Sequence, residues 1–236
     1  SYTLQSYRQF HPFKSFRLKR IADIIKIQNI IADIGSDHGK LPVYLIKNKL
    51  AKTVLATDIS AHSLEKTRLL ADGNGLGHDI ITFLGDGLKP LKEYGYKVDL
   101  GIIAGMGGLE IIKILESDIQ FIQHYIFSPQ QNTSALRKKL NEFDYKIIKD
   151  FIVLDKGKFY DIIEAEKGCQ DLTPDQIKWG LDNLNKPSKD FLMYLDKKIK
   201  IMEHAISLAS KKQRGIIKND LDEIIKLREN LARRLK

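Results

Sequence analysis

The feature that most constrains this chain is an alternation. Short β-branched runs end in acidic or glycine-containing loops, and each is followed by a segment with helical spacing. The runs at 30–34, 53–57, 80–84, 98–103 and 125–127 read as strands. Helices are expected around 43–49 and 64–70, over the stretch ending at Leu115, and at 134–143. Strands that are apolar throughout need cover on both faces, so the pattern implies a mainly parallel sheet between two helical layers. Leu18, Ile21, Ile24 and Ile25 add an amphipathic helix ahead of the first strand. The rhythm breaks at 145–154 and 159–165, two strand-like segments joined by Asp155-Lys156-Gly157-Lys158 with no room for a helix. They form a hairpin and run antiparallel.

Beyond Gly168 the chain changes character. Thr173-Pro174-Asp175-Gln176 is a helix start, with Thr at the cap, Pro at the first position and Gln placed to close a capping box. Two long helical stripes follow. One steps through Leu192, Leu195, Ile199, Met202, Ile206 and Ala209; the other runs Ile217, Leu221, Ile224, Leu231 and Leu235, with Arg228 interrupting it. They pair most simply as a short antiparallel coiled coil joined by a polar connection at 210–215. Three parts are therefore expected: an extension at 1–15, natural or added, an α/β domain at 16–168, and a helical domain at 169–236.

Composition narrows the setting. With 43% hydrophobic and 29% charged residues the chain can bury a sizeable core. One cysteine, Cys169, excludes an internal disulfide and a zinc site built mainly from thiolates. No apolar run approaches the roughly 18 residues that span a bilayer, and no signal peptide is evident, so a cytoplasmic protein without membrane or metal is expected. The net charge of +9 makes nucleic acid the leading partner class, because a basic surface displaces counterions from a polyanion. An AT-rich genome, which favours Lys and Ile, is the plainer explanation.

The residues fit for chemistry all follow strands, where open parallel sheets bind ligands. Asp33 opens Asp33-Ile34-Gly35-Ser36-Asp37-His38-Gly39, whose glycines let backbone approach a ligand. Asp58, followed by Ile59, ends the second run and can accept from two ribose hydroxyls. Asp86, followed by Gly87, can accept from an adenine amino group. Ala104, Gly105, Met106 and Gly107 leave room for a methionine part. Each sign has an ordinary explanation: glycines supply turn angles, and strand-terminal Asp caps helices. The order Asp-x-Gly, acid, Asp-Gly, small-residue loop favours an adenosyl-sulfonium site, S-adenosylmethionine, over a dinucleotide. The first loop lacks the Gly-x-Gly-x-x-Gly that a dinucleotide needs. A sheet closed by an antiparallel hairpin is also what class I methyltransferases possess and dinucleotide dehydrogenases lack.

At these residues the sequence resembles the bacterial tRNA adenine-22-N1-methyltransferases. The stretches DIGSDHGKLP (33–42), GDGL (85–88), IAGMGG (103–108) and GKFYDIIEAEKG (157–168) carry the likeness, which runs from about Phe16 to the C-terminus. Two departures stand out: Thr57-Asp58 for Gly-Glu, and Ser128-Pro129-Gln130 for Gln-Pro-Asn. The resemblance implies a Rossmann-like α/β fold with a helical coiled coil, and methyl transfer from S-adenosyl-L-methionine to N1 of an adenine in the tRNA D-loop, by a monomer. Asp37 is the candidate carboxylate for the cationic product ring, and acceptance of its own loop's N–H groups is its alternative role. His38 orients substrate or makes an ordinary loop hydrogen bond; Met106 walls the cofactor or packs. Phe159 and Tyr160 stack on an extruded base or fill core. Lys197, Lys198, Lys200, Lys211, Lys212, Arg214 and Lys218 follow tRNA phosphates or solvate a helical face. A non-catalytic RNA-binding or assembly protein on the same fold is the competing reading, and a small-molecule methyltransferase the third.

Overall fold

The computed structural model describes residues 15–36, 38–118 and 121–235. Strands β1 (Gln28–Ile34), β2 (Ala51–Asp58), β3 (Ile80–Leu84), β4 (Leu100–Ala104) and β5 (His124–Ser128) are parallel. The hairpin β6 (Tyr145–Asp155) and β7 (Lys158–Lys167) closes the sheet, with β7 antiparallel to β5. The spatial order is β3-β2-β1-β4-β5-β7-β6. Each β-branched run is therefore a strand, and the chain reverses its direction of growth at β1 and β4. That switch is where such sheets hold ligands.

Alternation divides the core. Ile31, Val54, Leu100, Ile102 and Ile126 pack on one face against Ile21 of α1 (Phe16–Asp23), Val43 and Leu45 of α2 (Lys40–Lys47) and Leu70 of α3 (Ala61–Gly73). Ala32, Ile34, Leu55, Ile103 and Phe127 face the other way. They meet Leu91 of the short α4 (Lys89–Glu93), Ile111 and Leu115 of α5 (Gly108–Asp118) and Leu136 of α6 (Thr133–Glu142). Gly101 is required on this second face: a Cβ there would lie 2.6 Å from the ring of Tyr125. Tyr125 stacks on Phe127 at 5.1 Å and donates its hydroxyl proton to Asp118. Ser15 caps α1 by accepting from Leu18 N, so the fold begins one residue inside the expected extension.

The tail does more than append helices. Trp179 at the end of α7 (Pro174–Trp179) and Phe191 and Leu195 of α9 (Lys189–Leu208) are buried with Ile152 of β6. Ile224 and Leu231 of α10 (Lys211–Arg233) join the same cluster. Three tail side chains also accept alternate N–H groups along the outer edge of β6. Asp182 and Asn183, on α8 (Leu181–Asn185), take Asp150 N at 3.0 Å and Ile152 N at 3.1 Å; Asp190 takes Leu154 N at 2.9 Å. An exposed edge strand is a template for aggregation, and these acceptors occupy it.

α9 and α10 run antiparallel, since Arg228 near the end of α10 meets Asp196 near the start of α9 at 2.8 and 3.2 Å. The residue that interrupted the stripe is thus an ion pair. The expected polar connection is shorter than read from sequence. Ser210 and Gln213 close a capping box, which places Lys211, Lys212 and Arg214 in the opening turns of α10 rather than in a loop.

Candidate active site

The parallel strands end together at one rim, and backbone bonds stitch their loops to one another. Gly35 N and Ser36 N both donate to Thr57 O, at 2.8 and 3.1 Å, and Gly85 N donates to Asp58 O at 3.0 Å. Between these loops and α4–α5 lies a hollow of about 530 Å³. Its lining includes Gly35, Asp58, Ile59, Asp86, Gly87 and Met106. Ser60 N donates to one oxygen of Asp58 at 2.8 Å, which fixes the carboxylate's orientation. Ile59 is 75% exposed, an apolar side chain left at the mouth.

Other candidates lie beside the hollow rather than on its wall. Asp33 is buried at the end of β1, so Asp58 and Asp86 share the cavity without it. Ser36 is fully buried, and its hydroxyl has no hydrogen-bond partner among the described residues. His38, at φ 61°, places Nε2 3.2 Å from Lys66 Nζ. Gly39, at φ 75°, caps α2 where a Cβ would strike Thr67 at 2.9 Å. Asp37 lies outside the described residues. Ala104 ends β4, and Gly105 and Gly107 belong to the neighbouring loop that follows it.

That loop is clasped to the one after β5. Gln130 N donates to Met106 O at 2.9 Å and Gly108 N to Gln131 O at 2.7 Å, and a Cβ on Gly108 would lie 2.4 Å from Asn132 O. Met106 in turn covers Gly35, its methyl 2.5 Å from where a Cβ would stand. The departure Ser128-Pro129-Gln130 is therefore part of the floor's support. Ser128 is fully buried and its hydroxyl, too, has no partner among the described residues.

Sequence reasoning missed the outer wall: Lys89, Lys92, Glu93, Glu110, Lys113, Ile114 and Ser117 also line the hollow. Pro90 in a Gly-Leu-Lys-Pro-Leu run was the available sign of α4, because Pro is tolerated in a first helical turn. Lys92 donates to the carbonyls of Ser117 and Asp118, tying α4 to the negative end of α5.

A second polar cluster lies where α6 meets the hairpin and tail. Arg137 donates to both oxygens of Asp150, at 2.7 and 3.0 Å, and to the carbonyls of Ile177 and Lys178. It also reaches Asp161, which accepts from Thr133 Oγ1 at 2.7 Å. Burial opposes the charge on Arg137, but the Asp150 pair outweighs it and holds the guanidinium's pKa above its usual value. The aromatic candidates divide. Phe159 packs edge-on against Tyr194 at 5.5 Å in the tail cluster, whereas Tyr160 lies under the guanidinium of Arg17 at 4.8 Å. Lys197 and Lys198 sit over Phe159 and Tyr194; Lys200, Lys211, Lys212, Arg214 and Lys218 lie further along α9 and α10, all five exposed.

Comparison with known proteins agrees with this architecture. A family model described as a methyltransferase domain matches residues 14–163. The tRNA (adenine(22)-N(1))-methyltransferase of Bacillus subtilis is 32% identical over 166 residues, 69% of each chain. The structure of M. capricolum TrmK, solved with S-adenosyl-homocysteine, superposes with a TM-score of 0.82 at 28% identity, covering 91% of this chain and 97% of that one. The crystal structure of the B. subtilis M1A22 tRNA methyltransferase TrmK gives 0.76 at 26% identity over 92% and 97%. From the order of its strands, the two carboxylates in its rim hollow and these likenesses, the chain belongs to the tRNA (adenine-22-N1)-methyltransferase family.

Proposed function

We propose that this protein transfers a methyl group from S-adenosylmethionine to N1 of adenine 22 in the D-loop of tRNA. The observation that carries this reading is the hollow at the sheet's switch point, with Asp58 and Asp86 on its wall, in a chain of this family. The residues fit an adenosyl group. An oriented carboxylate faces ribose hydroxyls, a second carboxylate faces an exocyclic amine, and Ile59, Ile114 and Met106 offer apolar contact to a ring. The left-handed turns at Gly35 and Gly105 let backbone come close to the methionine part.

S-adenosylmethionine supplies, when bound, a sulfonium-activated methyl set for in-line displacement. The protein's task is then position. N1 lies on the Watson–Crick edge, so the adenine must leave its pairing and enter beside the loops at 104–108 and 128–132. Methylation leaves the ring cationic until its exocyclic nitrogen loses a proton. Asp37 is the carboxylate proposed to stabilise that charge. Residues 169–236 form the RNA-gripping unit, with Lys200, Lys211, Lys212, Arg214 and Lys218 tracking phosphates along a coiled coil. We place the protein in the cytoplasm as a monomer. Among the described residues no helix is long and apolar enough to cross a membrane, and no cluster of His, Cys, Asp and Glu has the makings of a metal site.

Mass spectrometry of total tRNA incubated with the protein and cofactor tests the proposal. One added methyl, mapping to the D-loop adenine, is the expected result. Cofactor binding without transfer to any tRNA would overturn it; salt-dependent tRNA affinity without cofactor binding would favour a non-catalytic RNA-binding protein.

A further inference from the structure

The hairpin overhangs the rim. Phe127 of β5 pairs with Ile163 of β7, so Ser128, the last residue of β5, stands level with Ile162, and Tyr160 lies two residues further out. Ser128 and Tyr160 fall on the same face by alternation, the face that α1 covers, with Ile126 and Ile162 below them. α1 is fastened to the overhang: Asp155, at the hairpin's end, accepts from Ser15 Oγ at 3.3 Å and from Arg17 N at 3.2 Å. This brings the Arg17 guanidinium over the Tyr160 ring at 4.8 Å. Nη1 of Arg17 is buried yet has no hydrogen-bond partner among the described residues. The same is true of the Ser128 hydroxyl, whose own backbone carbonyl receives Gly105 N from the loop bordering the cofactor hollow.

A buried guanidinium N–H without an acceptor is unfavourable, and a fold rarely keeps one without a use. Here the unmet donor, an aromatic face and an unmet hydroxyl follow one another in a row on the α1 face, from the hairpin to the end of β5, whose last carbonyl holds the loop that borders the hollow. From that row we propose that Tyr160 and Arg17 receive the extruded nucleotide: the adenine stacks on the Tyr160 ring in place of the guanidinium, which turns to the nucleotide's phosphate. Ser128 stands at the inner end of the row, buried beside the loop that borders the hollow. The exchange is favourable in direction, because a base covers more of an aromatic face than a guanidinium does, and a phosphate satisfies the fork that the resting state leaves incomplete. The inference rests on the tRNA methyltransferase reading and adds the residues that hold its substrate.

Four variants test it: Tyr160→Leu, Tyr160→Phe, Arg17→Ala and Arg17→Lys. Tyr160→Leu should raise the KM for tRNA about tenfold or more, the range of a lost base stack. Tyr160→Phe, which keeps the ring, should stay within about twofold of the parent on the same measure. Arg17→Ala should weaken tRNA binding and make the plot of log affinity against log salt shallower by about one phosphate contact. Arg17→Lys should restore the slope but only part of the affinity, since a point charge lacks the planar fork. Cofactor affinity by calorimetry and the melting temperature should hold in all four. Wild-type tRNA kinetics in Tyr160→Leu, or equal damage in Tyr160→Phe and Tyr160→Leu, overturns the stacking role. Loss of cofactor affinity and melting temperature in step with tRNA affinity for Arg17→Ala overturns the phosphate role and leaves α1 docking in its place. If the parent itself methylates no tRNA, the functional reading has failed; if the parent is active and the variants match it, only this inference has.

Discussion

One sheet carries two polar regions that are built in opposite ways. Along the hairpin and tail, Arg137 is enclosed by Asp150, Asp161 and two carbonyls, and the β6 edge finds an acceptor for each of three alternate N–H groups. At the rim, the hydroxyls of Ser36 and Ser128 and Nη1 of Arg17 are buried without partners among the described residues. A buried polar group is unfavourable unless something bonds it. Where the fold supplies that partner, the group is scaffold; at the rim, on the function proposed above, the ligand supplies it. Asn141 and Glu164 also leave one oxygen unmatched, but Glu164's other oxygen already meets His124 at 2.9 Å.

The sharpest way to break this contrast is to empty the satisfied region. Arg137→Ala strands the buried carboxylate of Asp150 and should destabilise the fold by about 3–5 kcal/mol, as breaking one side of a buried ion pair does. Urea unfolding measures it. A loss below about 1 kcal/mol would mean that water or local movement rescues Asp150, and the clamp would not be scaffold. Gly180 belongs to the same clamp, since a Cβ there would meet Asp150 at 2.8 Å and Arg137 at 2.9 Å.

The opposite signature belongs to the rim. Asp58→Ala removes a charged acceptor from ribose hydroxyls, a loss of about 1.5–3 kcal/mol or roughly 10- to 100-fold in cofactor affinity. Titration calorimetry should register that loss, while urea unfolding shows no more than the loss of the one bond from Ser60 N, about 0.5–1.5 kcal/mol. Unchanged affinity would remove Asp58 from the cofactor site.

Much of the fold was legible because burial on both faces leaves near-continuous apolar runs, and residues 30–34 or 100–104 can hardly be anything but inner strands. The hairpin was legible from the absence of space for a helix. The site was legible only in part. Asp58 and Asp86 follow strands that end beside the hollow, but Asp33 looks equivalent in sequence and is buried at its strand end. The start of α10 shows the same limit. Ser210 and Gln213 carry the capping signal recognised at Thr173 and Gln176, yet the lysines between them suggested a loop. Arg137 gave no sign, because its partners are 13 and 24 residues away and meet it only through the hairpin.

Alkaline titration asks whether the sheet and the tail's base stand or fall together. Tyr125 and Tyr145 in the sheet and Tyr194 in the tail all have pKa values raised, chiefly by burial; that of Tyr194 is pushed up to about 12. The folded state thus keeps these phenols protonated where the unfolded chain ionises them near pH 10. Stability should be complete below pH 10 and fall between 10 and 12, by at most about 1.4 kcal/mol per pH unit for each tyrosine, less for Tyr194, which is half-buried and partly screened. Tyr194→Phe should flatten the slope of a single cooperative transition. If the sheet's transition keeps its full slope in that variant, the tail's base unfolds as a separate unit.

The smallest expected effect is the most discriminating. Thr57 and Ser128 are both buried at the rim, but the Thr57 hydroxyl donates to Gly87 O at 3.3 Å and the Ser128 hydroxyl meets nothing among the described residues. Thr57→Val should therefore lower stability by about 0.5–1.5 kcal/mol, the net worth of one intramolecular bond. Ser128→Ala removes an unsatisfied group and should leave stability unchanged or raise it by less than about 1 kcal/mol. A paired urea titration of the two variants decides between them. Equal losses would mean that solvent already satisfies Ser128, and the distinction between a finished scaffold and a rim awaiting its ligand would no longer hold there.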